Sequence, residues 1–85
     1  MIIRSQDKKV IVNLDNIDTI DIADLQVRCF NGVFDTAVVI GTYSTEEKAI
    51  KVLDMIQNAY VKCEANTAWG DDIAFQMPSD EEVEV

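Results

Sequence analysis

Apolar and polar residues alternate with a period of two through the first forty positions of this 85-residue chain. Met1, Ile2 and Ile3 open a short β-prone run, and Gln6-Asp7-Lys8-Lys9 makes a polar turn. Val10, Val12 and Leu14 then share one face of a second strand, with Ile11 on the other. Together these segments predict a hairpin. Asp15-Asn16 interrupts the pattern, and residues 17–23 predict a third strand with Ile20 and Ile22 inward and Asp21 outward. Residues 25–30 and 33–40 flank Asn31-Gly32, the dipeptide favoured in a two-residue type I′ turn because both central positions need positive φ. That turn would set Phe30 opposite Val33, Cys29 opposite Phe34, Arg28 opposite Asp35 and Val27 opposite Thr36. One face then becomes apolar, while Arg28 and Asp35 place opposite charges directly across the strands on the other.

The period changes to that of a helix after Gly41-Thr42-Tyr43. Ser44-Thr45-Glu46-Glu47 reads as a capping box, with both glutamates in the first turn where the helix dipole favours negative charge. Ala49, Val52, Leu53, Ile56, Tyr60 and Cys63 form one apolar stripe, and the helix is expected over about residues 45–62. Trp69 and a Gly70-Asp71-Asp72 turn follow. Ile73, Phe75 and Met77 then predict a last strand that Pro78 ends. The layout is β-β-β-β-β-α-β, an α+β fold in which a meandering antiparallel sheet of five or six strands carries one amphipathic helix on one face. Residues 1–78 form a single domain, and residues 79–85 an acidic tail expected to be flexible. Phe30, Val33, Ala37 and Val39 fall on the sheet face away from the helix, which makes a homo-oligomer a prospect.

Charge narrows the range of functions. Sixteen acidic and seven basic side chains give a net charge of −9, which opposes binding to nucleic acid or anionic lipid, since both are held by clustered Lys and Arg. The chain has no histidine, so a His-assisted nucleophile, a His-ligated metal and a His general base are excluded within it. Cys29 and Cys63 lack a CxxC spacing and read as two buried reduced thiols rather than a disulfide. No apolar run follows a basic start, and the longest apolar stretch, residues 37–40, is far short of a membrane span. These features predict a cytoplasmic protein that does not associate with membranes.

The candidate chemistry is sparse. Asp15, Asp18, Asp21 and Asp24 recur every third residue, which on a strand sends successive carboxylates to opposite faces and does not suit a shared ion. Asp71 and Asp72 beside Trp69 read as turn formers and a partial core cover. No glycine-rich phosphate loop precedes the helix. The chain therefore reads as non-enzymatic, with no metal and no cofactor.

The opening Met1-Ile2-Ile3-Arg4-Ser5-Gln6-Asp7-Lys8, the segment Gly41-Thr42-Tyr43-Ser44-Thr45-Glu46-Glu47-Lys48-Ala49 with Val52-Leu53-Asp54-Met55-Ile56-Gln57, and Phe75-Gln76-Met77-Pro78 carry a resemblance. In these segments the chain resembles a family of short uncharacterised proteins of low-GC Gram-positive bacteria and their phages. The resemblance implies a setting of phage or prophage accessory genes and transfers no site residues. Small acidic proteins suit inhibition of a host defence protein by occupation of its basic surface, including mimicry of nucleic acid. Asp71, Asp72, Asp80, Glu81, Glu82 and Glu84 are then the expected contacts. The alternative is an oligomer that sequesters a nucleotide-derived defence signal at subunit interfaces, with Arg4, Arg28 and Trp69 as ligands.

Overall fold

A computed structural model describes residues 1–31, 37–65 and 74–85. The strands are β1 (Ile2–Arg4), β2 (Ile11–Asn13), β3 (Thr19–Ala23), β4 (Gln26–Phe30), β5 (Ala37–Thr42) and β6 (Ala74–Gln76), and the helix α1 spans Glu46–Ala65 between β5 and β6. The fold is α+β, with the expected order of elements. The strands do not join into one sheet, however. They form two three-stranded sheets, ordered β2-β1-β6 and β3-β4-β5.

The first sheet begins with the predicted hairpin, β1 antiparallel to β2 with Ile3 opposite Val12. Ser5 is buried and organises its turn. Its amide donates to the Val10 carbonyl, and its hydroxyl accepts from the Val10 amide and donates to Asp7 Oδ1 at 2.6 Å. β6 pairs with β1 in parallel, with Ile3 opposite Phe75. This corrects the expectation of an antiparallel meander: a strand that returns after a helical crossover can enter beside the first strand in the same direction.

The second sheet departs from the expected register. β3 and β4 pair from Thr19↔Phe30 to Ala23↔Gln26, and the two residues between them, Asp24 and Leu25, have φ of 51° and 67°. A tight turn with two positive φ values therefore lies here, and residues 31–36, not two residues, separate β4 from β5. β5 meets β4 with Phe30↔Ala37, Cys29↔Val38 and Arg28↔Val39, which displaces the expected partner of Phe30 by four residues. Arg28 does not face Asp35. It pairs with Asp21 on β3, because β4 has a neighbour on each side and the carboxylate lies on the other one. Ile40 is the extra residue of a bulge between Val27↔Gly41 and Arg28↔Val39, and it is buried. Gly32, Val33, Phe34, Asp35 and Thr36, and with them the predicted turn, lie outside the described residues.

The core gathers side chains from both sheets and the helix: Ile3, Val12, Val27, Cys29, Ile40, Tyr43, Ala49, Val52, Ile56, Met77 and Val83. Cys29 is a free buried thiol, and burial pushes its pKa up to about 11, so it stays protonated and unreactive. Phe30, Ala37 and Val39, from the second face of the expected sheet, are half-buried, half-buried and exposed.

Candidate functional site

The two ends of α1 have different surroundings. At its start, Thr45 caps the helix in place of the predicted Ser44, with its hydroxyl accepting from the Lys48 amide at 3.1 Å. Ser44 is left one residue outside, and its amide donates to Asp80 Oδ1 at 2.7 Å. Lys48 Nζ donates to the Asp80 carbonyl at 2.9 Å and lies 3.4 Å from its Oδ2. The Tyr43 hydroxyl donates to the Pro78 carbonyl at 2.8 Å, and its ring lies over Gly41, where a Cβ would come within 2.9 Å of it. Burial, with the negative charges of Asp80 and Glu82 behind it, pushes the Tyr43 phenol up to about 12.

Residues 77–83 thus run over the helix start as a strap. Met77 continues the β6–β1 pairing through its amide to the Arg4 carbonyl, and Val83 inserts into the core. Between them Asp80–Glu82 forms a 3₁₀ turn, with the Ser79 amide donating to Glu82 Oε1 at 2.9 Å. The Ser44 amide holds the Asp80 carboxyl below the usual carboxylate range, and the Ser79 amide does the same for Glu82. The acidic segment expected to be flexible therefore makes specific contacts from Asp80 to Val83.

At the other end lies an apolar groove of about 340 Å³, between the second half of α1 and the chain entering β3. Leu14, Ile17 and Ile20 line one side and Leu53, Ile56 and Tyr60 the other, with Asp18, Thr19 and Gln57 at its polar parts. Leu14 belongs to a 3₁₀ turn, Leu14–Asn16, held where Asn13 Oδ1 accepts from the Asp15 amide at 3.0 Å. The single predicted stripe of α1 divides here. Ala49, Val52 and Ile56 are buried, Leu53 is half-buried and Tyr60 is 41% exposed. Ile50 and Val61, which stripe counting passed over, are 46% and 59% exposed beside them. The signal that would have found them is the width of the apolar arc, not its centre.

Among the described residues the sequence-derived candidates do not form one site. Asp80 and Glu82 serve the strap, while Glu81 and Glu84 are exposed beside them. Arg4 donates from Nε and Nη2 to the Lys8 carbonyl at 3.1 and 3.0 Å. Arg28 forms a bidentate pair with Asp21, both contacts at 2.9 Å, which raises the guanidinium pKa further, and it lies 4.9 Å over the Phe30 ring. The two arginines are on different sheets, each with an internal partner. Trp69, Asp71 and Asp72 lie outside the described residues. Among the described residues no three Cys, Asp or Glu side chains converge as a metal set, and no helix is long and apolar enough to cross a membrane. A second, polar notch of about 170 Å³ lies between Asp7 and β5. Gln6 bridges it, its side chain accepting from the Thr42 amide at 2.9 Å and donating to the Thr42 carbonyl at 3.0 Å. Asp7 is held below the usual carboxylate range by the Ser5 hydroxyl and then the Lys9 amide.

Comparison with family models, curated proteins and solved structures returns no match.

Proposed function

We propose that this chain is a small acidic, non-enzymatic binding protein that acts by occupying a basic surface on another protein. One observation supports this reading above the rest: even if every Lys and Arg pairs internally, nine carboxylates remain without a counter-charge. The carboxylates exposed in the described part include Asp15, Asp24, Glu46, Glu47, Asp54, Glu81 and Glu84. Such a surface attracts a cationic partner at long range and repels other acidic proteins. On this reading the chain is a phage or prophage accessory protein, and its target is a host defence protein whose basic face it covers.

The strap sharpens the test. Asp80 and Glu82 hold the fold, so the clean probes are Glu81→Ser with Glu84→Ser, and separately Asp15→Asn with Asp54→Asn. Tagged protein incubated with host lysate should retain a defined basic protein at low salt and release it at high salt, with at least one variant pair weakening retention. Capture that ignores both salt and all four substitutions overturns the reading.

A further inference from the structure

We propose that the groove between α1 and the chain entering β3 receives the apolar face of a cationic amphipathic helix from the partner protein. At 100° per residue the buried side chains Val52, Ile56 and Ala49 span only about 60° of α1. Tyr60, Leu53, Ile50 and Val61 continue the apolar arc by roughly a further 120° around the same side, interrupted by Gln57 and, at the two helix ends, by Glu46 and Glu64. The first part belongs to the core, and the second part faces the groove and the solvent beyond it. Leu14, Ile17 and Ile20 supply the facing wall. A shallow channel with a helix on one side and apolar side chains on the other suits residues presented at helical spacing.

Charge decides the occupant. Asp18 is the charged side chain among those lining the groove, and Asp15 and Asp54 are exposed next to Leu14 and Leu53. A second copy of the chain would bring another net charge of −9 to the same place, whereas Lys or Arg flanking an apolar face would complement these carboxylates. The inference rests on the acidic-binder reading for the sign of the partner and adds where the contact is made.

The test is a methyl and amide NMR titration of the full chain with a 15-residue helix-forming Leu/Lys peptide. A Leu/Glu peptide of the same pattern and an oligo-Lys peptide serve as controls. The Leu/Lys peptide should shift the methyl groups of Leu14, Ile17, Ile20 and Leu53. Tyr60→Ala and Ile50→Ser, both at exposed positions, should weaken it about fivefold. If both cationic peptides bind but shift only residues 79–85, the groove proposal fails and the acidic-binder reading survives. If neither binds at low salt, both fail. Equal binding of the Leu/Glu peptide, or a dimer by light scattering that protects the groove methyls, also overturns the proposal.

Discussion

The start of α1 is closed by the chain itself, and its second half is left open. At the start, the Ser44 amide, the Thr45 cap, Lys48 and the Tyr43 hydroxyl all have partners, most of them in residues 78–80. Further along the helix, Leu53 is half-buried and Tyr60 and Val61 are exposed. The contrast follows from the kinds of group present. Amides near a helix start cost free energy when left without an acceptor, so something must cover them. Apolar side chains carry no such obligation, and a folded protein tolerates them at its surface. An unfilled apolar face is therefore the place where a partner can add the most.

The largest expected difference between the ends is in stability. Ile40→Ala, in the buried core, should cost about 2–5 kcal/mol in chemical denaturation, whereas Tyr60→Ala, at a 41% exposed position, should cost distinctly less. Comparable losses would mean that the groove is core. Leu53→Ala, for which the sequence alone suggests a core-sized loss, should fall between the two because the side chain is only half-buried. Gly41→Ala comes next, at about 1–3 kcal/mol, because the new methyl group must displace the Tyr43 ring and, with it, the bond to Pro78. Restored stability in a Gly41→Ala, Tyr43→Leu double variant would confirm that cause. A smaller effect of opposite sign is expected at Leu25. Leu25→Gly relieves a positive φ in a tight turn and should stabilise by up to about 1 kcal/mol, less whatever the partly exposed leucine contributes.

The least effect at neutral pH concerns protons. Asp7, Asp80 and Glu82 are held low in the folded state. Their contribution is complete above the ordinary carboxylate range and is lost as pH falls through their folded values. Thermal melts should therefore show wild type losing its advantage over Asp80→Asn below about pH 4. At the alkaline end Cys29 and Tyr43 are held up, at about 11 and about 12. Their contribution is complete below the ordinary thiol and phenol values and is lost as pH rises through the folded ones, so melting temperatures should fall there as well. An advantage over Asp80→Asn that persists unchanged in acid would remove the strap's dependence on that carboxylate.

Much of the fold was legible because burial imposes a period. The first hairpin, β3 with Asp21 facing away from the core, and the helix followed from which residues had to share a face. What was not legible came from competition between neighbours. Asp24-Leu25 makes a tight turn without glycine or asparagine to signal it, flanked by the β3–β4 pairing and tied down where the Leu25 carbonyl accepts from the Tyr43 amide. Opposite charges across strands correctly signalled an Arg28 pair, but two strands flank β4 and the pattern could not choose between them. In the candidate site, the carboxylates of residues 79–84 were visible as charge. The Ser79-x-x-Glu82 spacing is a local capping signal for Glu82, but nothing local showed that Asp80 would accept from the Ser44 amide.

The residue order by itself therefore determined the α+β class, the strand and helix faces, and an acidic surface without histidine chemistry, because each depends on near neighbours or on composition. Only the tertiary structure decided that the strands split into two sheets, that the acidic end straps the helix start, and that an apolar groove stays open at the other end. Those features depend on which distant groups come together, such as Asp80 bonded to Ser44 and Leu14 across the groove from Leu53. Such meetings are set by a compact packing that must satisfy all its backbone groups at once, a constraint no single stretch of sequence carries.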